Sequence, residues 1–110
     1  MTEATVFIID DDEEVRNAMV LLMESVGLNA MPFVSATEFL KHYDAKTPGC
    51  IVTDVRMPGM SGLDMQKKLN EIGAHPQVII ITGHGDIPMA VDAMREGALD
   101  FIEKPFNDQR

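Results

Sequence analysis

Val6-Phe7-Ile8-Ile9-Asp10-Asp11-Asp12-Glu13-Glu14 is the stretch on which the fold turns. An unbroken apolar run stops abruptly at a block of acids. Short runs of this kind, without polar alternation, mark strands covered on both faces, as in a parallel sheet. The pattern returns at Cys50-Ile51-Val52-Thr53 and Val78-Ile79-Ile80-Ile81, with weaker runs near 28–33 and 98–102. Between the runs the apolar period becomes helical. Val15, Ala18, Met19, Leu22, Met23 and Val26 follow i, i+3, i+4, i+7, i+8, i+11, which predicts a helix stopped by Gly27. Ser35, with Glu38 three residues on, reads as a capping box opening a second helix along Ala36, Phe39, Leu40 and Tyr43. Leu63, Leu69 and Ile72 predict a third helix closed by Gly73. Ile87-Pro88 opens a fourth, carried by Ala90, Val91, Ala93 and Met94 to Gly97, with Pro in the first turn, where its missing N–H is harmless.

The order is βαβαβαβαβ, without a composition break or internal repeat. Right-handed crossovers turn it into an α/β, doubly wound parallel sheet, whose ligands bind beyond the carboxyl ends of the strands. After Phe106, Asn107 reads as an N-cap and Asp108 suits a helix N-terminus, so a further helix is expected to begin there. A sheet without that last helix has part of one face bare. Covering a few hundred Å² of apolar surface contributes roughly several kcal/mol at ~25 cal/mol per Å². The expectation is a single domain over residues 1–110, belonging to a longer protein and truncated at the start of its last helix.

Length and composition agree. At 110 residues there is room for one domain, and 45% hydrophobic with 25% charged residues is ordinary for a globular chain. Nine Lys and Arg against eighteen Asp and Glu give a net charge of -9, which repels phosphate backbones and excludes a nucleic-acid grip by these residues. No apolar stretch approaches the ~20 residues of a membrane span. The start, Met1-Thr2-Glu3-Ala4, lacks the basic flank of a secretory signal. The single Cys50 excludes an internal disulfide and fits a reducing compartment, so a cytoplasmic location is expected.

The strand ends carry the chemistry. An acidic first turn would by itself explain residues 10–14, because negative charge is favoured at a helix N-terminus. Five acids nevertheless exceed what capping needs, and an oxygen-only set suits Mg²⁺. An EF-hand loop fails, because Val15 stands where that loop needs Gly. Asp54 precedes the turn signal Met57-Pro58-Gly59 and reads equally as a turn acid or a functional one; across the switch point it should face Asp10 and Asp11. Thr82 is an ordinary strand former, or a hydroxyl donor beside Gly83. His84 has no metal-site spacing with His42 or His75. Lys104 is a solvated strand-end lysine, or a cation aimed at the carboxylates. Together, carboxylates, a nucleophile, a hydroxyl donor and a cation are the parts of a phosphoryl-transfer site.

Asp10-Asp11, the segment Asp54-Val-Arg-Met-Pro-Gly-Met-Ser-Gly62, Thr82-Gly-His-Gly-Asp86 and Lys104-Pro105 resemble the receiver domain of two-component response regulators, over nearly the whole chain. Ile-Thr-Gly-His-Gly-Asp and Asp-Phe-Ile-Glu-Lys-Pro-Phe look most like the FixJ-type branch. The resemblance implies a flavodoxin-like five-stranded sheet of order 2-1-3-4-5. It implies Asp54 as phosphoacceptor from a sensor histidine kinase, with Mg²⁺ held by Asp10, Asp11, Asp54 and the Arg56 carbonyl. Thr82 and Lys104 would hold phosphoryl oxygens, and Phe101, where many relatives have Tyr, would follow Thr82 as the switch aromatic. Arg56 and His84 lie where relatives tune phosphoryl lifetime. Phosphorylation would switch the surface of the fourth helix and fifth strand, promoting a homodimer, and DNA would be reached only through a C-terminal domain. Asp12 has no role under this resemblance. Two rivals differ in kind. A haloacid-dehalogenase-type phosphohydrolase needs Thr or Val where Glu14 stands and leaves Asp54 without a task. A phosphorylation-independent interaction module has no need of the acids, Thr82 and Lys104 together.

Overall fold

The computed structural model describes residues 4–44, 46, 49–83 and 86–103. Its elements run β1 (Thr5–Ile9), α1 (Glu13–Ser25), β2 (Asn29–Phe33), α2 (Ala36–His42), β3 (Gly49–Asp54), α3 (Gly62–Glu71), β4 (Gln77–Thr82), α4 (Ile87–Arg95) and β5 (Asp100–Glu103). The strands form one sheet in the order β2-β1-β3-β4-β5, all parallel, which is the flavodoxin-like arrangement expected from the sequence. β1 lies between β2 and β3, with Ile9 opposite Phe33 on one side and Thr53 on the other. The chain direction therefore reverses its march at β1, and the gap beyond β1 and β3 is where such a sheet accepts a ligand.

Alternation along the strands divides the core. Phe7, Ile9, Ile51, Val78 and Ile80 pack with α2, α3 and α4 through Phe39, Leu63, Met65, Leu69 and Ala93. Ile8, Val52 and Ile81 face the other way, where Met19 of α1 meets them. Among the described residues, that second layer is incomplete. The expected apolar stripe of α1 forms, yet Leu22 is 58% and Val26 65% exposed, and of that stripe only Met19 is buried. Beside α1, a groove of about 370 Å³ is lined by Met19, Leu22, Met23, Val52, Ile79 and Ile81 among others.

Element ends follow local chemistry. Ser35 Oγ accepts from the Glu38 N–H at 3.1 Å, opening α2 as its sequence predicts. The fifth strand begins later than the apolar run suggested, at Asp100, although the N–H of the exposed Leu99 already donates to the Val78 carbonyl of β4 at 2.7 Å. Ile72, counted within the third helix pattern, is instead its exposed C-cap. The expected N-cap Asn107 lies outside the described residues.

Candidate functional site

Asp10 is the first residue past β1 and is only 1% exposed. Among its contacts are three to described residues. Its N–H donates to the Phe33 carbonyl at 3.2 Å, its Oδ1 accepts from the Asp12 N–H at 2.9 Å, and its carbonyl accepts from Arg16 Nη1 at 2.7 Å. Asp12, left without a role by the sequence, is the N-cap of α1: its Oδ1 accepts from the N–H groups of Glu14 at 2.9 Å and Val15 at 3.4 Å. Glu13 and Glu14 occupy the first turn, where the helix dipole favours negative charge. The acidic block thus splits, with Asp12 to Glu14 serving the helix and Asp10 and Asp11 turned to the sheet edge.

Asp54 ends β3 and is 7% exposed. Its Oδ1 accepts from the Arg56 N–H at 3.3 Å. The next residue prolongs the sheet contact, with the Val55 N–H on the Ile81 carbonyl at 2.9 Å. Behind Asp54, α3 starts at Gly62, whose N–H donates to the Val55 carbonyl at 3.0 Å. A Cβ on Gly62 would collide with the Asp54 carbonyl oxygen and lie 3.2 Å from Thr53 Cγ2. Glycine is needed there for close approach, a requirement that the turn signal Met57-Pro58-Gly59 did not reveal.

One carboxylate oxygen from each of Asp10, Asp11 and Asp54 falls within 4.8 Å of the other two. Asp11 is exposed while the others are buried, so the group opens to solvent on one side. Three hard oxygen donors with no nitrogen or sulfur suit Mg²⁺ or Ca²⁺ and not zinc. Mutual repulsion of carboxylates this close is relieved by a cation.

Thr82 is fully buried at the end of β4, one residue beyond Ile81, the register partner of Asp54. Its Oγ1 lies 3.4 Å from the Gly83 carbonyl. Phe101, half-buried, pairs in register with Ile80 and packs on the core layer of α2 to α4. Lys104 and His84, both singled out in the sequence, lie outside the described residues. Two features had no sequence signal. Arg16 braces the β1–α1 turn from a turn up the helix, and Arg56 Nε donates to Asp86 Oδ1 at 2.9 Å. Cys50 sits at the opposite end of β3, where burial raises its thiol pKa.

A five-stranded sheet of this order with acids at the ends of β1 and β3 is the frame of a receiver, and comparison with known proteins agrees. The family described as response regulator receiver domain matches residues 6–110. The transcriptional regulatory protein FixJ of Azorhizobium caulinodans is 57% identical over 106 residues, covering 94% of this chain and 49% of that protein. Nodulation protein W of Bradyrhizobium diazoefficiens is 49% identical, covering 98% of this chain and 48% of that protein. The crystal structure titled FixJ-N superposes with a TM-score of 0.88 at 44% identity, covering 98% of this chain and 86% of that one. The chain belongs to the response regulator receiver family, and it is a FixJ-like signalling domain of the two-component type. It spans about half the length of the curated relatives it matches. Among the described residues, no helix is long and apolar enough to cross a membrane.

Proposed function

We propose that Asp54 is the phosphoacceptor. A carboxylate oxygen of Asp54 attacks the phosphorus of a kinase phosphohistidine; a P–O bond forms, the P–N bond breaks, and the departing imidazole nitrogen keeps the electron pair and takes a proton. The convergence of the Asp10, Asp11 and Asp54 carboxylates within 4.8 Å, with oxygen donors only, carries this reading. Asp10, Asp11, Asp54 and the Arg56 carbonyl would hold Mg²⁺, which supplies neutralising charge for the incoming phosphoryl oxygens. Asp10 is braced by Arg16 and Asp54 by the Arg56 N–H, so the acceptor side is placed before the donor arrives.

In this reading Thr82 and Lys104 hold phosphoryl oxygens, and Thr82 reaches them only if the loop after β4 moves, with Phe101 filling the space vacated. Hydrolysis uses the same groups: a water oxygen attacks the phosphorus and gives up a proton, the P–O bond to Asp54 breaks, and inorganic phosphate leaves the regenerated carboxylate, at a lifetime tuned by Arg56 and His84. The exposed Val91 and Met94 of α4 belong to the surface of α4 and β5 proposed to pair two phosphorylated copies. A transcriptional output agrees with the names of the relatives, which are transcriptional regulatory proteins, while a histidine kinase partner, a cytoplasmic location and a C-terminal DNA-binding domain are proposed from membership of the receiver family.

The test is incubation with Mg²⁺ and acetyl phosphate, followed by intact mass of the wild type and of Asp54→Asn. The expected outcome is one added phosphoryl group that requires Asp54. Phosphate turnover that survives Asp54→Asn but is lost in Asp10→Asn would point to a hydrolase, and no label at all to a phosphorylation-independent module.

A further inference from the structure

The helix N-termini of this fold are not treated alike. Asp12, Ser35 and Ser61 cap α1, α2 and α3 with a side-chain oxygen from an extended backbone. Asp86, the N-cap of α4, makes no side-chain capping bond, and its φ of -104° and ψ of 15° depart from that geometry. An N-cap side chain reaches the second or third helical N–H. In α4 the second position is Pro88, which has none, so Met89 is the available donor. The Met89 N–H is instead held on the Asp86 carbonyl at 3.1 Å.

The Asp86 carboxylate is turned to Arg56, whose Nε donates to Oδ1 at 2.9 Å. Arg56 Nη2 also lies 3.3 Å from Met89 Sδ. One guanidinium therefore touches both the residue able to cap α4 and the residue it would cap. The same arginine is rooted at the acceptor, because its N–H donates to Asp54 Oδ1 at 3.3 Å.

We propose that Arg56 and Asp86 form a latch that withholds the side-chain cap from α4 until Arg56 turns to a phosphoryl group on Asp54. The proposal rests on Asp54 being the phosphoacceptor and deepens that reading. An aspartyl phosphate offers more charge and more acceptor oxygens than the Asp86 carboxylate, and a guanidinium fork matches a phosphoryl group bidentately. The latch is built to break: the Arg56 side chain is 65% and that of Asp86 18% exposed. Such pairs bias an equilibrium by only about 1.4- to 5-fold. Once released, the Asp86 carboxylate takes the Met89 N–H, and the first turn of α4 changes from carbonyl-capped to side-chain-capped. A charge added at the end of β3 is thereby converted into a changed entry to α4, without passing through the core.

The experiment follows the Met89 amide by NMR, with and without Mg²⁺ and acetyl phosphate. Asp86→Asn lacks the charge for Arg56 but keeps an oxygen that caps, so its unphosphorylated Met89 signal is expected to move toward that of the phosphorylated wild type. Asp86→Ala has no capping oxygen and is expected not to follow. Arg56→Gln, which breaks the latch from the far side, is expected to move Met89 in the same direction, but not in an Asp86→Ala background. Equal Met89 positions in Asp86→Asn and Asp86→Ala would overturn the latch. So would a wild type that takes up phosphoryl on Asp54 while Met89 stays still, and that result leaves the phosphoacceptor intact. A wild type that takes up no label, or as much label in Asp54→Asn, removes both.

Discussion

Gly62→Ala tests whether the start of α3 sets the position of Asp54. The added methyl would overlap the Asp54 carbonyl oxygen and crowd its carbonyl carbon and Thr53 Cγ2, each at 3.2 Å. These neighbours are backbone or fully buried, and the Gly62 N–H is tied to the Val55 carbonyl, so α3 retreats only by loosening that bond. Overpacking of this sort costs about 1–3 kcal/mol, partly offset by the preference of helices for Ala over Gly. A net loss of about 1 kcal/mol lowers the melting temperature by ~4 °C in a domain of this size. Shifting Asp54 by a fraction of an ångström also slows transfer, by about tenfold if a full ångström is worth ~100-fold. Gly73→Ala is the control. It sits beyond the far end of α3 at φ +83° with open space around a Cβ, and its left-handed backbone makes Ala cost about 1–2 kcal/mol. Both variants are expected to melt early by calorimetry, and only Gly62→Ala to label slowly with acetyl phosphate and Mg²⁺. Labelling of Gly62→Ala at the wild-type rate, or equal slowing in Gly73→Ala, would refute the reasoning.

Asp12→Ala removes the side-chain cap of α1 and is expected to cost about 1 kcal/mol in chemical unfolding, while the Mg²⁺-induced rise in melting temperature persists, because Asp12 serves the helix. Mg²⁺ at ~100 times its dissociation constant should stabilise the wild type by about 2.7 kcal/mol, and Asp11→Asn should abolish most of that shift in a thermal scan. Burial raises the Cys50 thiol above 9.0, and burial with Asp44 raises the Tyr43 phenol above 10.0. Folded values above unfolded ones mean that this part of the stability is complete below pH 9.0 and is lost as the pH rises through the folded values. Urea midpoints are therefore expected to fall between pH 8 and pH 11, and the fall to be smaller in Cys50→Ser.

Some of this was legible in the sequence because it is written locally. Unbroken β-branched runs at Val6, Ile51 and Val78 demand cover on both faces, and helical spacing between them supplies the cover, so a parallel doubly wound sheet follows from neighbours in the chain. The rule that ligands meet the carboxyl ends of strands then picked out Asp10, Asp11, Asp54 and Thr82. The division of labour among the acids was not readable, since Asp10 and Asp12 are alike until backbone geometry turns one to the sheet and the other to α1. Nor was the exposure of Leu22 and Val26, because periodicity says which face is apolar and nothing of what covers it.

Chain-local pattern thus determined the strands, the helices and the kinds of side chain at the rim of the sheet, because ladder and burial constraints repeat every two or 3.6 residues. Tertiary structure alone decided the 4.8 Å gathering of Asp10, Asp11 and Asp54, the glycine demanded beneath Asp54, and the pairing of Arg56 with Asp86. Apart from the neighbours Asp10 and Asp11, those contacts join residues eight to over forty positions apart, and a through-space distance leaves no period in the sequence to be read.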